Sequence, residues 1–415
     1  MLNNLSYPAD ALRVLIVSVL VFSLGFMLAT ASAAVTARPF PQAASRGGGE
    51  SKEPMKGGLS LSQQEMNTSV IRYYVYWKGR YLKPSVSVAG DYKVAFKPSG
   101  ETVSEAMGYG MLITVLMAGA DPQAKSLFDG LDRFRQRYPS SINPSFMCWK
   151  VPASEKKVIN DSASDGDLDM ALALLMAHRQ WGDQVYLCEA QKMIKAMASS
   201  LVRPDYSLRL GDWDTETSGV ILTRPSDFMP THFRAFGAAS GDPLWGRVES
   251  RCHGILEELQ KNDAPMTGLV PDFAMAKGNV WQPAKPKALE GPHDGEYSYN
   301  ACRVPWRIGW AATVLDDPRA RQFLERFMDW AVTHVGKPEN FKAGYHLDGR
   351  SLKGADFDSA CFIAPTGVAA MSTGHRTWHD ATFACASSQK EGYYEDTVNL
   401  LCLLAMSGNA WLPMK

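Results

Sequence analysis

Residues 163–181 read ASDGDLDMALALLMAHRQW, with Asp165, Asp167 and Asp169 at alternate positions directly ahead of an apolar run. Three like charges this close repel one another unless caps, partners or a site absorb them. Acidic residues suit the positive end of a helix dipole, and Asp165 or Asp167 is of a type that caps a helix. A calcium loop of the Asp-x-Asp-x-Asp kind is excluded, because Met176 stands where the bidentate Glu of such a loop belongs. Three other stretches carry comparable chemistry. In VSEAMGYGM, Ser104 can cap and Glu105 enters the first turn of a very apolar helix. Gly108, Tyr109 and Gly110 crowd it with small and aromatic neighbours that favour a raised pKa. LEGPHDGEYSYNACRVPWRIGW (289–310) is packed with carboxylates, aromatics and arginines, and EGYYEDTVNLLCLLAMSGN (391–409) sets Tyr393 and Tyr394 before the last helix. Repetition of one pattern, a carboxylate or aromatic loop entering an apolar helix, points beyond capping to a shared site.

The elements that must position these groups are helices. Apolar periodicity predicts helices over 61–78, 104–119, 123–138, 166–181, 184–201, 227–239, 243–262, 301–315, 317–335, 357–373, 376–387 and 395–407. Several are apolar nearly all round, as helices covered by neighbours on most sides must be. Long loops rich in Trp, Tyr and charge separate them at 139–164, 202–226 and 264–300. Such alternation in an all-α chain suits an (α/α)6 toroid of inner and outer helices, with the loops at the inner helix starts forming a cleft.

The ends and the composition add bounds. Arg13 precedes the uncharged run Val14–Ala29 and then TASAA, which reads as a signal peptide over 1–33 with cleavage after Ala33 and a secreted or periplasmic product, an uncleaved membrane anchor being the alternative. Residues 34–60, rich in Gly, Pro, Ser and Ala, read as a flexible leader, and 61–415 as one catalytic domain. With 43 basic and 43 acidic residues, bulk charge gives no support for binding nucleic acid or an anionic membrane surface. The seven cysteines are scattered without a Cys-x-x-Cys and the eight histidines show no metal spacing, so no cofactor is expected. Most of the eleven Trp belong in a core, but such a supply of Trp is also what a carbohydrate groove needs, where sugar rings stack on aromatic faces.

These stretches together resemble glycoside hydrolase family 8. Residues 163–181 fit its Ala-[Ser/Thr]-Asp-[Ala/Gly]-Asp signature through to the tryptophan. SEAMGYGM, NACRVPWR, RPSDFMPTHFRAF, GLVPDF and YYEDTVNLLCLLAMSGN are similar to family segments in the expected order, across roughly 60–412. The resemblance implies an (α/α)6 barrel that cleaves β-1,4-linked glycans with inversion, which requires one carboxyl as acid and another as base. It implies Glu105 as the acid and Asp165 as the carboxylate that binds the sugar beside the scissile bond, with Asp167 and Asp169 capping, holding a loop or bonding neighbouring helices. Many members carry Asp as the base where this chain has Asn300, and an amide cannot accept the water's proton. Members with Asn there take the base from a preceding loop, which singles out Glu290, with Asp294 and Glu296 as alternatives. Trp149, Trp213, Tyr299 and Tyr394 are candidate sugar platforms, and Arg303, one turn after Asn300, a partner for a carboxylate or sugar hydroxyl. The expected activity is that of an exported, monomeric endo-β-1,4-glucanase acting on a polysaccharide. The alternatives are a chitosanase or mixed-linkage β-glucanase, and a non-catalytic glycan-binding protein. Asp212, Asp214, Glu216 and Asp294 would favour chitosan if they lined the cleft.

Overall fold

The computed structural model describes residues 37–42, 61–156, 158, 160–215, 219–278 and 280–414. The expected signal peptide, most of the leader and Glu216 lie outside them. Twelve helices follow in order: α1 (Gln63–Tyr81), α2 (Ser104–Leu116), α3 (Ala124–Arg137), α4 (Ser164–Trp181), α5 (Gln184–Ser200), α6 (Pro230–Ser240), α7 (Leu244–Asn262), α8 (Val304–Val314), α9 (Pro318–Trp330), α10 (Ala360–Thr373), α11 (Arg376–Ala386) and α12 (Tyr393–Met406). Each matches an expected segment. The largest shift is at the end of α9, where the π-helical turn Ala331–Val335 follows the α-helix; the starts of α6 and α8 also move, behind the 3-10 turns Pro225–Asp227 and Ala301–Arg303.

Even-numbered helices form an inner ring. Neighbours touch in the sequence α2, α4, α6, α8, α10, α12, and α12 returns to α2, closing an (α/α)6 barrel. The hydropathy pattern sorts the layers. From Ala106 to Leu116 every residue of α2 is buried, and α10 is buried from Ala360 to Ala370. Outer α3, α7 and α9 bury one stripe and leave the other face to solvent.

Chain connections decide where the site is. Inner-to-outer links are short: α4 stops at Gly182, whose φ of 74° ends the helix in the left-handed region, and Asp183 then caps α5. Outer-to-inner links reach the N-terminal ends of the inner helices, and all but the short 387–392 link into α12 are long. Small sheets brace them: β1 (Leu82–Pro84) with β2 (Tyr92–Val94), β3 (Thr102–Val103) with β4 (Lys150–Val151), and β5 (Leu222–Thr223), β6 (Ala274–Lys277) and β7 (Val280–Pro283) in one sheet.

One part of the segment read as flexible is docked. Phe40 is buried, its amide donates to the Ala118 carbonyl, the Arg38 amide donates to Gln180 at 2.7 Å and the Gln42 amide to Asn409 at 2.8 Å. For residues 37–42 the flexible reading is therefore corrected: a buried aromatic and three backbone donors hold them to the ends of α2, α4 and α12.

Candidate active site

Glu105 and Asp165 are neighbours because α2 and α4 approach closely. A Cβ on Gly166 would lie 2.8 Å from the Glu105 amide nitrogen, and one on Gly108 would lie 2.9 Å from the Gly166 carbonyl oxygen. Only glycine allows this packing, and it sets the first turns of both helices side by side. Neither helix is capped by a side chain, so the aspartate run is not a capping device. Pairing of Val103 with Lys150 and a bond from the Ser104 amide to the Trp149 carbonyl (2.9 Å) tie the 139–164 loop to the same place.

Arg303 organises the centre. Its Nη1 donates to Glu105 Oε2 at 2.7 Å, Asp165 Oδ2 at 3.0 Å and the Tyr109 hydroxyl at 3.2 Å. Its Nη2 donates to Ser226 Oγ at 2.8 Å and Asn300 Oδ1 at 2.9 Å. Asn300 in turn donates through Nδ2 to Glu290 Oε2 at 2.9 Å. Glu105, Glu290, Asn300, Tyr299 and Tyr394 line one open cavity of about 370 Å³, together with Arg224 and Glu395. Five of the expected residues thus meet in one cavity, with Asp165 and Arg303 beneath it.

Burial and charge separate the two carboxyls below this cavity. Burial pushes Glu105 up to about 7, against the pull of Arg303. Burial acts on Asp165 in the same sense, but Arg224 and Arg303 outweigh it and hold that carboxylate down to about 2. One group is therefore poised to give a proton near neutrality, and its neighbour stays an anion.

The other two aspartates face away from the cavity. Asp167 accepts the Met147 amide at 3.2 Å, holding the loop, and burial pushes its pKa well up. Asp169 is fully buried, receives Arg307 Nη1 and Nη2 at 2.8 and 2.6 Å, and pairs with His232 Nε2 at 2.8 Å. It joins α4 to α8 and α6, as expected of a carboxylate that bonds neighbouring helices.

The alternatives to Glu290 are otherwise engaged. Asp294 is buried and accepts the amides of Leu289, Glu290 and Gly291 at 2.7, 3.1 and 2.8 Å, shaping the loop that carries Glu290. Glu296 bonds His346 Nδ1 at 2.9 Å. The carboxylates expected in a cationic-sugar cleft also point inward. Asp212 holds the Ser162 and Asn143 amides, and Asp214 pairs with Arg203 at 2.6 Å. Trp149 and Trp213 stay exposed, at 42% and 38%, on the 139–164 and 202–226 loops outside the central cavity. Tyr299 lies edge-on to Phe362, and the Tyr394 hydroxyl donates to the Tyr299 carbonyl at 2.5 Å.

Sequence reasoning missed Arg224, Asp227, Asp272 and Glu395. Asp272 Oδ1 accepts the amides of Ser298, Asn300 and Ala301 (3.1, 3.0 and 2.6 Å), fixing the turn that presents Tyr299, Asn300 and Arg303. Burial raises Asp272 to about 7 despite those bonds. Nothing local in GLVPDF marks it, since its partners lie far along the chain. Arg224 and Asp227 stand in RPSDF, an arginine followed one turn later by an acid, which was a usable signal. Glu249, His253 and Asp317 come within ligand distance of one another, yet Arg234 and Arg319 already pair with Glu249, and Arg319 approaches Asp317 at 3.6 Å. That set is an ion-pair network whose charges are matched without a metal.

A family model for Glycosyl hydrolases family 8 matches residues 65–408. The chain is 40% identical over 404 residues to a beta-glucanase of Niallia circulans, covering 95% of this chain and 97% of that protein. It is 37% identical to an endoglucanase of Bacillus sp. (strain KSM-330), covering 91% of this chain and 82% of that protein. Among solved structures, the apo beta-1,3-1,4-glucanase from Paenibacillus sp.X4 matches with a TM-score of 0.83 at 39% identity, over 90% of this chain and 99% of that one.

Proposed function

The chain belongs to Glycosyl hydrolases family 8, is therefore a glycoside hydrolase, and from that premise we propose an exported, endo-acting, inverting β-glucanase that cuts β-1,4 bonds. The observation that carries the reading is one cavity that sets Glu105 and Glu290, two carboxyls in different settings, across from each other, with Glu395 also on its lining. Glu105 lies against Arg303, mostly shielded but open to the cavity, and retains a proton up to about pH 7, as a general acid for the leaving oxygen must. Glu290 reaches in from the 264–300 loop and is held by Asn300 Nδ2, where it activates the attacking water. Asn300 orients and Glu290 accepts the proton; Asp165 binds the sugar next to the scissile bond. Trp149 and Trp213, on flanking loops, extend the groove as stacking platforms.

Two observations rank the substrates. Relatives named beta-glucanase and beta-1,3-1,4-glucanase, at 40% and 39% identity, favour mixed-linkage β-glucan, with cellulose-type glucan next. Chitosan falls behind, because Asp212, Asp214 and Asp294, which would favour it, are buried in structural bonds.

A reducing-sugar assay on lichenan, carboxymethylcellulose, xylan and chitosan tests the ranking. Lichenan should be cut fastest; no hydrolysis of any would leave the glycan-binding alternative. Glu290→Ala should abolish hydrolysis, and azide should restore partial turnover with an inverted glycosyl azide. Activity surviving in Glu290→Ala but lost in Glu296→Ala would reassign the base. Export is tested by sequencing the mature N-terminus, expected at Ala34. No helix among the described residues is long and apolar enough to cross a membrane.

A further inference from the structure

Two arginines converge on Asp165, and the catalytic roles proposed above give Arg224 no part in turnover. Arg303 is already divided among Glu105, Asp165, Tyr109, Ser226 and Asn300. Arg224, at the end of β5, lies 3.5 Å from Asp165 Oδ1 on one side and donates through Nε to Asp227 at 3.1 Å on the other. Asp227 is 1% exposed, and no step proposed so far needs it.

We infer that Arg224, pinned by Asp227, is a positioning residue that keeps Asp165 charged and oriented while Arg303 is drawn to Glu105. The inference rests on the roles proposed for Glu105 and Asp165. Follow the charges through one turnover. Before reaction Glu105 carries its proton, and Arg303 is balanced chiefly by Asp165. When that proton moves to the leaving oxygen, the C–O bond breaks and Glu105 becomes an anion 2.7 Å from the Nη1 that also serves Asp165 at 3.0 Å. One guanidinium then faces two carboxylates in a buried setting, where an unmatched charge is costly. Arg224, shared between Asp165 and Asp227, supplies a second cation, so that two guanidinium groups serve the three carboxylates. Asp227 has the complementary task. Arg224 lines the same cavity as Glu290, and an unpinned guanidinium would pair with that carboxylate and blunt it as a base.

The test is a pair of variants whose pH profiles should move in opposite directions. The charged or titratable groups around Glu105 are Asp165 and Asp169 on α4, Arg224 and Asp227 beside β5, Arg303 and Arg307 at α8, Tyr109 on α2, Tyr393, Tyr394 and Glu395 on α12, and Glu290 across the cavity. Arg224→Gln removes a cation that favours ionised Glu105. The alkaline limb of kcat/KM on lichenan should rise by about 0.5–1 pH unit, with kcat reduced at least ~10-fold. Asp227→Asn removes an anion and leaves Arg224 unbalanced, so the same limb should fall, with a smaller loss of kcat. Arg224→Lys should recover most of the turnover and a limb near that of the parent. Lowered activity with both limbs unmoved would reduce the pair to a structural ion pair and overturn the inference, as would full activity in Arg224→Gln. If the Gln variant does not fold, Asp227→Asn and Arg224→Lys still decide by their limbs. Glu105→Gln separates the layers of the argument. Its activity would remove the acid assignment itself, whereas an inactive Glu105→Gln with unmoved limbs removes only the role of Arg224.

Discussion

Asp165 and Asp169 sit one turn apart on α4, and Arg303 and Arg307 the same distance apart at α8, so the barrel holds two carboxylate–arginine layers, one above the other. The lower layer is closed. Asp169 and Arg307 are fully buried, joined by two bonds of 2.8 and 2.6 Å, with His232 completing the carboxylate. The upper layer is frustrated: Arg303 serves two carboxyls, Asp165 draws on two arginines, and Glu105 keeps a 19% exposed side chain toward the cavity. The same residue pair thus makes a rivet where charges match one to one, and a proton-handling site where they do not. Access to solvent and an uneven charge count separate chemistry from structure here, not residue type.

The largest effect expected from breaking this contrast belongs to the lower layer. Asp169→Ala leaves the Arg307 guanidinium buried without its partner and should cost about 3–5 kcal/mol, read from denaturant unfolding at pH 7. A loss under about 1 kcal/mol would place Asp169 with the cleft instead. Next, Glu105→Gln should lower turnover on an unactivated glucan at least ~10²-fold while the fold persists. Third, the same variant should be more stable than the parent at pH 7, by on the order of 1 kcal/mol. The sign follows from linkage. Glu105 is raised to about 7 in the folded protein from a usual 4.5, so between those values the folded state binds more protons than the unfolded one. Stability therefore falls as pH rises through that window, and Gln removes the dependence. Asp165, held at about 2, behaves oppositely: its contribution is complete above about pH 4 and is lost as pH falls toward 2. The smallest effect is that of Asn300→Ala, which removes a 2.9 Å contact to Glu290 and leaves the carboxylate in place. Its loss in kcat should be well short of that in Glu290→Ala; equal losses would make Asn300 essential to the base.

Much of this was legible from local pattern. Helices that are apolar all round mark the inner ring, and glycines in SEAMGYGM and ASDGD mark where two of them touch. Roles that depend on distant partners were not legible. Asp272 acts on a turn whose residues follow it by a long stretch of chain, so no periodicity reports it. Asp212, Asp214 and Asp294 stand in polar loops that look cleft-lining, but a loop carboxylate turns inward whenever backbone amides need an acceptor, as at Leu289–Gly291. Residues 37–42 read as leader because their composition is that of a linker. A single Phe and three amides were enough to dock them.

The closed ring also bears on the order in which the chain acquires its structure. Most neighbouring inner helices are separated in sequence by one outer helix and a loop, so their pairing closes short stretches of chain. The seam between α2 and α12 joins the two extremes of the domain and carries the largest entropic toll. Loop-closure entropy therefore predicts it as the last joint to form and the first to open. The segment at Phe40 straddles that seam, bonding Ala118 beyond α2 and Asn409 beyond α12. A chain shortened to begin at α1 would keep every helix and every cavity residue, yet it would lose the latch on its weakest joint and unfold faster without folding more slowly.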